Sequence, residues 1–259
     1  RERRGGGEGV APDRLTLVVG AAVASDYEGS NDYILAPVAG ATGRFRGHAI
    51  VWQGNSLGVD LVPEYRGTKF KFIAAPFINL NLNRTGTSHD PVVALIGKSG
   101  IAAEGGIVVG FNRTGIFTSR YDSLTVQVSM AHDLGSVYKS FIVSPSVAYT
   151  APLSKSVLVS ASAGFDVVGA GYARHYFGVD HDASASSGLP YYRPSGGVKS
   201  AGFGLGGAVS LNGDLRKGFA VGAKLGYQRL LGDFAKSPIV ANRGNSNQFS
   251  VTIGLAYAL

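Results

Sequence analysis

The chain has 259 residues, of which 45% are hydrophobic and 16% are charged, and it contains 38 glycines and no cysteine. The charged fraction is below the ~25% of an ordinary soluble domain, and the lack of cysteine excludes disulfides, thiolate zinc sites and a cysteine nucleophile. The net charge of +7 is compatible with anionic partners, but no nucleic-acid-binding motif occurs, so no nucleic-acid partner is expected.

The N-terminal stretch RERRGGGEGV is basic and is followed by no apolar core. It is therefore not a recognisable signal peptide, and whether such a peptide was removed before residue 1 stays open. No apolar run reaches the ~18 residues that a transmembrane helix needs. We expect residues 1–12 to form a flexible tail and residues 13–259 to form one domain.

From residue 14 onwards, large apolar residues alternate with small or polar ones over stretches of eight or more residues, which predicts long strands. The predicted strands cover residues 14–24, 31–43, 46–53, 56–63, 68–82, 102–113, 121–133, 138–150, 155–165, 198–211, 217–230 and 248–259. Most of these stretches reach the ~9–11 residues of a membrane-spanning strand. The pair 46–53 and 56–63 is short for a membrane, so ten strands are the alternative to twelve.

The two faces of these strands differ in residue size. One face of strand 198–211 carries Phe203, Leu205 and Val209, whereas its other face carries Gly202 and Gly204. A soluble sandwich would cover its second face with charged residues, but here that face is mostly Gly, Ala and Ser. The pattern predicts an all-β fold, a transmembrane antiparallel up-and-down β-barrel with its large residues in lipid and its small residues in the lumen.

The connections alternate between short turns and longer, more polar loops, as in outer-membrane barrels. The loop 166–197 is aromatic enough to fold into the lumen as a plug, and it contains Tyr172, Tyr176, Phe177, Tyr191 and Tyr192. Aromatic residues at strand ends predict girdles at the membrane interfaces: Tyr27, Tyr33, Tyr65, Phe117, Tyr121, Tyr138, Tyr149, Tyr227 and Tyr257.

Charged residues fall into two predicted groups. The presumed lumen face carries few charges, which either line a narrow polar path or tie strands together: Lys224, Glu104, Arg44, and Lys69 with Lys71 near the periplasmic end. A basic rim is predicted on the short periplasmic turns, where it could contact a protein partner or anionic lipid: Arg44, Arg46, Arg66, Arg120, Lys155, Arg216 and Lys217.

Catalytic and metal-binding patterns are weak. His132, Asp133 and Ser136 are the best candidates for a hydrolase at the barrel rim, but neighbouring residues of a strand point to opposite faces, so His132 and Asp133 cannot both project inward. The segment HYFGVDHD could hold a cation, against the simpler interpretation of a solvated loop. We expect no enzymatic activity, no catalytic residue, no metal and no cofactor.

Three segments together resemble the MipA/OmpV family of outer-membrane proteins. The stretch SDYEGSNDYILAPVAGATGRF resembles the first hairpin of the family, with Tyr27, Gly29, Ser30, Tyr33 and Pro37 at the matching positions. HYFGVD resembles the start of the long loop at residues 176–179, and Ser-Pro-Ile-Val at residues 237–240 resembles the last loop. The family's usual terminal phenylalanine is replaced by Leu259.

The resemblance implies a bacterial outer-membrane barrel without catalysis, which acts as a scaffold for peptidoglycan-remodelling enzymes. The implied partners are a lytic transglycosylase and a peptidoglycan synthase, besides outer-membrane lipids and lipopolysaccharide. The alternatives are a narrow channel for small solutes and, less favoured, a rim hydrolase. The final stretch VTIGLAYAL resembles the signal that the barrel-assembly machinery recognises, through Gly254, Tyr257 and Leu259.

Overall fold

The computed structural model describes residues 9–259, and their strands close into a single antiparallel barrel of twelve strands. The strands are β1 (Arg14–Ser25), β2 (Tyr33–Phe45), β3 (His48–Gln53), β4 (Ser56–Val59), β5 (Phe70–Asn81), β6 (Ala102–Thr114), β7 (Ser123–Asp133), β8 (Phe141–Pro152), β9 (Val157–Val168), β10 (Gly197–Ser210), β11 (Gly218–Leu230) and β12 (Asn247–Ala258). The prediction of twelve strands is confirmed, and the short pair is real.

The hairpin of β3 and β4 has shorter strands than the rest of the barrel wall. β3 has 6 residues and β4 has 4, whereas the other strands have 11 to 14. β2 pairs with β1 from Tyr33 to Arg44 but with β3 only from Gly40 to Phe45. The hairpin therefore covers only the C-terminal half of β2.

The barrel closes where β1 pairs with β12. Gly20 lies opposite Gly254 at this seam, and the backbone N–H of Leu259 donates to the carbonyl oxygen of Leu15 at 2.9 Å. A Cβ atom added to Gly20 would lie 2.2 Å from the carbonyl oxygen of Ile253. The seam therefore requires glycine at this position so that the two backbones can approach.

The outward and inward faces agree with the predicted alternation. Leu17, Val19, Phe72, Leu205 and Ile253 are examples of large residues that are exposed on the outside of the barrel. A water-soluble protein does not expose so many large apolar residues on one continuous surface. The outer surface is therefore the one that faces membrane lipid.

Five short helices occur in the connections at one end, called here the outer end: α1 (Pro91–Ala94), α2 (Ala170–Phe177), α3 (His181–Ser187), α4 (Gly232–Lys236) and α5 (Pro238–Ala241). No helix among residues 9–259 is long and apolar enough to cross a membrane. The opposite, inner end carries the short turns, the described residues that precede β1, and Leu259.

The predicted tail falls partly outside the described residues, because residues 1–8 are not among them. Val10 forms a β-bridge with Tyr65, and the N–H of Ala11 donates to the carbonyl oxygen of Glu64 at 2.8 Å. Residues 10 and 11 thus already contact the β4–β5 turn, before the predicted start of the domain at residue 13.

Most of the predicted girdle residues are accessible at the barrel surface, but two are not. Tyr33, Tyr65 and Tyr121 are exposed, whereas Tyr27 and Tyr138 are only 4% and 3% exposed. The placement of Tyr27 and Tyr138 in a lipid-facing girdle was therefore wrong. Both residues pack into the buried cores at the outer end, because their short connections turn inward.

Candidate functional site

The connections at the outer end fold over the barrel as one packed unit, called here the plug, formed by residues 26–32, 82–101, 134–140, 169–196 and 231–246. One of its cores contains Tyr172, Phe177, Leu230 and Phe234, none of which is more than 2% exposed. The predicted role of residues 166–197 agrees with this burial, although Tyr191 remains 47% exposed.

The three segments that carry the family resemblance meet inside the plug. Gly29 has φ of +96°, and a Cβ added there would lie 2.5 Å from Cγ2 of Val240. Ser30 forms a β-bridge with Gly244, and Ser237 Oγ donates to the carbonyl oxygen of Phe177 at 2.7 Å. Segments that are far apart in sequence therefore form a single contact region.

A buried lysine joins the plug to the barrel wall. Lys199 is 4% exposed; it forms an ion pair with Glu28, and its Nζ lies 3.4 Å from Oδ2 of Asp166. Tyr172 donates to Glu28 at 2.6 Å, and Ser144 donates to Asp166 at 2.7 Å. The lysine thus lies between one carboxylate of the plug and one of strand β9.

A β-bulge explains why Lys199 points inward. The register of β10 with β9 pairs Val198 with Val167 and then Ser200 with Asp166, so Lys199 is an extra residue between them. Both Lys199 and Ser200 are buried, which regular alternation would not allow. The sequence analysis missed Lys199 because only the pairing pattern reveals the bulge.

Glu104, a predicted lumen charge, ties strands to the plug. It is 4% exposed and accepts hydrogen bonds from Asn79 at 2.8 Å, from Asn81 at 2.9 Å and from the hydroxyl of Tyr138 at 2.9 Å. All three of these donors are neutral groups. The geometry is that of a structural link rather than of a polar path.

Lys224, also a predicted lumen charge, lines a cavity of about 750 Å³ below the plug. A second cavity of about 800 Å³ lies nearer the inner end and is lined by Arg14, Gln53 and Lys71 among others. No ion pair of Lys224 occurs within residues 9–259. The lumen therefore contains two cavities on the inner side of the plug.

Six of the seven predicted rim residues lie exposed on turns at the inner end: Arg46, Arg66, Arg120, Lys155, Arg216 and Lys217. Arg216 is paired with Asp214 at 2.7 Å yet its side chain remains 78% exposed. Arg44 is different, because its side chain is 9% exposed and is paired with Glu64. Arg44 therefore lies on the lumen side, where it also lines the inner cavity.

The hydrolase candidates do not form a catalytic arrangement. Asp133 is buried and accepts hydrogen bonds from the backbone N–H groups of Gly135, Tyr138 and Lys139 at 2.7 to 2.9 Å. Nδ1 of His132 lies 2.9 Å from the backbone carbonyl oxygen of Asp133, not from its carboxylate. Asp133 thus stabilises the β7–β8 turn.

The histidines of HYFGVDHD also have other partners. Nε2 of His175 lies 2.8 Å from Ser99 Oγ, and the ring of His181 stacks on Tyr191 with centroids 4.5 Å apart. Asp180 accepts from the N–H of Ala183 at 2.8 Å, as an N-cap of α3. Within residues 9–259, no three His, Asp or Glu side chains group as metal ligands would.

The residues of the resembled assembly signal lie at the seam. Gly254 pairs with Gly20 on one side and with Gly222 on the other. The ring of Tyr257 lies 4.7 Å from that of Phe219, and Leu259 is 64% exposed. The signal role of these residues remains a prediction.

Comparison with solved structures identifies other barrels. An outer membrane channel from Pseudomonas putida F1 matches with a TM-score of 0.52 and 11% identity, over 100% of both chains. OmpT of Vibrio cholerae matches with a TM-score of 0.42 and 11% identity, again over 100% of both chains. At 11% identity, the likeness to the Pseudomonas putida channel shows the fold alone. Comparison with curated protein sequences finds no match.

The family comparison covers almost the whole chain. Residues 17–259 match the family described as "MltA-interacting protein MipA". This range includes the plug segments, the buried Lys199 and the closing strand β12. Together with the closed barrel and its lipid-facing surface, the match gives the protein its place in the bacterial outer membrane, and the chain belongs to the MipA family.

Proposed function

We propose that the protein is a non-enzymatic outer-membrane scaffold that holds peptidoglycan-remodelling enzymes at its inner, periplasmic end. The observation that carries this proposal is the exposed basic rim at that end. Arg120, Lys155 and Lys217 are exposed there, on three different turns, and have no carboxylate partner among the ion pairs of residues 9–259. Unpaired cations at a rim are available to an acidic partner surface.

The family description supports the same function. It names the family for an interaction with MltA, which the resemblance identifies as a lytic transglycosylase. Such an enzyme works on the cell wall, which lies beneath the outer membrane, so the contact surface must face the periplasm. The basic rim is the charged surface of the barrel at that end.

The packed outer end favours a scaffold over an open pore. The plug has two buried apolar cores and is tied to the wall through Lys199 and Glu104. A passage through it would require the separation of these contacts. A scaffold needs no such opening.

The test is capture of a lytic transglycosylase by the immobilised barrel in detergent. A triple variant with Arg120→Glu, Lys155→Glu and Lys217→Glu reverses charge at the rim, and we expect it to lose capture. The matched control reverses Lys98, Lys139 and Arg174 at the outer end and retains capture. Capture that is equal in both variants, or absent in the unmodified protein, contradicts the proposal.

The second candidate function is a narrow channel for small solutes. It is favoured by the two lumen cavities and by Lys224, which lines the first of them without an ion pair within residues 9–259. Conductance in a planar bilayer tests it. Stable single-channel steps whose ion selectivity changes in Lys224→Glu would establish the channel and contradict a purely scaffolding function.

A further inference from the structure

A third pocket opens on the outer face of the plug, remote from the basic rim and from the lumen cavities. Its volume is about 1010 Å³, and it is lined by the β5–β6 connection, the β7–β8 connection and helices α2 and α3. Its walls come from three separate connections that the plug cores hold together. The pocket is therefore a built feature of the folded plug.

A buried arginine forms part of this pocket. Arg84 is 8% exposed, and it donates to the carbonyl oxygens of His175 at 3.0 Å and of Tyr176 at 3.3 Å. Its Nε atom is buried without a hydrogen-bond partner. Since burial disfavours the charged form, the pKa of Arg84 is lowered.

No carboxylate among residues 9–259 compensates this charge. Within residues 9–259, none of the ion pairs includes Arg84. The carbonyl groups at the end of α2 supply only partial negative charge. A buried cation without a counter-charge costs free energy, which a bound anion would recover.

The mouth of the pocket is also cationic. Lys98, Lys139, Arg174 and Arg193 line it and are exposed. The pocket contains two carboxylates, those of Asp180 and Asp182, and no ion pair joins them to these cations in the described part of the chain. Five arginine and lysine side chains therefore face two carboxylates.

We propose that this pocket binds phosphate groups, with Arg84 as the buried contact and with Lys98, Lys139 and Arg174 at its mouth. Guanidinium and ammonium groups form short, charge-assisted hydrogen bonds to phosphate oxygens. The phosphate can belong to the headgroup of an outer-leaflet glycolipid or to a soluble phosphorylated solute, since both reach this face.

The experiment uses the full chain in a non-ionic detergent and isothermal titration with three probes: inorganic pyrophosphate, lipid A in mixed micelles and dephosphorylated lipid A. One variant neutralises the mouth with Lys98→Gln, Lys139→Gln and Arg174→Gln. A second replaces the buried residue, Arg84→Met. The matched control, Arg120→Gln with Lys155→Gln and Lys217→Gln, removes the same charge from the inner end.

We expect saturable binding of pyrophosphate, lipid A or both, and binding weakened about ten-fold or more in the mouth variant. The control variant binds as the unmodified protein does. Binding of lipid A alone identifies the glycolipid as the source of the phosphate, and binding of pyrophosphate alone identifies a soluble ligand.

Three results would overturn the proposal. The first is no saturable binding of either phosphate probe. The second is equal binding of lipid A and its dephosphorylated form without binding of pyrophosphate. The third is equal weakening in the mouth and control variants, which would indicate unspecific attraction to the net charge. Heat-modifiable migration on a gel tests whether each variant is folded. A loss of phosphate binding in Arg84→Met supports the proposal only when the mouth variant also loses binding.

Discussion

Ser237 Oγ donates a hydrogen bond to the carbonyl oxygen of Phe177 at 2.7 Å, and both residues are fully buried. The bond links the last connection of the barrel to the end of helix α2 in the longest one. Gly29 of the first connection packs against Val240, close to this bond in sequence. The outer connections thus form one cooperative unit. Its stability can be measured by how strongly the peptide bonds after its lysine and arginine residues resist cleavage by trypsin.

Gly29→Ala should open the plug. The added Cβ would lie 2.5 Å from Val240 Cγ2, and φ of +96° disfavours any L side chain, so we expect a loss of about 2–4 kcal/mol. Gly188→Ala is the matched control, because its φ is +73° but no atom lies within 4 Å of the new Cβ. Trypsin should cleave the outer connections faster in the first variant than in the second. Equal rates would show that packing against Val240 contributes nothing.

Lys199→Met should destabilise the plug by about 3–5 kcal/mol, because it leaves Glu28 and Asp166 without their shared cation. Adding Glu28→Gln to this variant removes one of the two stranded carboxylates and should restore much of the trypsin resistance. The double variant is the control for lost packing of the lysine stem. If it cleaves as fast as Lys199→Met, stranded charge is not the cause.

Asp90 should make the plug sensitive to acid. Burial acts to raise the pKa of Asp90, but hydrogen bonds from Arg243 and from the N–H groups of Val93 and Val92 outweigh it, and the pKa is lowered. A lowered pKa means that the stabilisation is present above the unfolded value of about 3.9 and is lost as pH falls through the folded value.

The variant Asp90→Asn should remove this loss of stability at low pH. It should also lower the stability of the plug by about 1 kcal/mol at neutral pH, because Arg243 loses its ion-pair partner, 2.8 Å away. The control is Asp182→Asn, at an exposed carboxylate of α3. Each variant is incubated at a series of pH values from 7 downwards and is then returned to neutral pH for a brief digestion with trypsin. The trypsin resistance of Asp90→Asn and of Asp182→Asn is compared across this series. If Asp90→Asn loses trypsin resistance at low pH as the unmodified protein does, Asp90 is not the cause of the acid sensitivity.

Gly20→Ala should prevent closure of the barrel. The new Cβ would lie 2.2 Å from the carbonyl oxygen of Ile253 and 2.6 Å from Cα of Gly254, both backbone atoms of the closing strand. Gly222→Ala is the control on the other side of Gly254, since its nearest contact is an ordinary 3.5 Å. The heat-modifiable band should be lost in the first variant and retained in the second.

The strands could be predicted because two different environments act on their two faces. Lipid favours large residues such as Phe203 and Leu205 on the outer face, and the narrow lumen favours small ones such as Gly204 on the inner face. The alternation of large and small residues along the sequence therefore identifies the two faces of each strand. The predicted strand bounds accordingly lie within a few residues of the observed ones, except that the strand predicted over 56–63 ends at Val59.

The plug chemistry could not be predicted in the same way, because it depends on contacts between distant connections. Lys199 points inward only through a bulge, and Arg84 stands in a polar loop whose burial depends on the end of α2. Arg44 was assigned both to the exposed rim, because it lies in the predicted turn 43–48, and to the lumen face; its pairing with Glu64 places it on the lumen side. Local patterns do not contain these pairings.

The short hairpin of β3 and β4 has a consequence for the surrounding bilayer. The 4 residues of β4 span about 13 Å, roughly half of the ~25 Å apolar band of an outer-membrane barrel. Lipid beside this hairpin must thin, or the barrel must tilt, and each response costs a fraction of a kcal/mol per ångström of mismatch. The protein therefore has a distinct lateral direction in the membrane plane, set by the position of this hairpin.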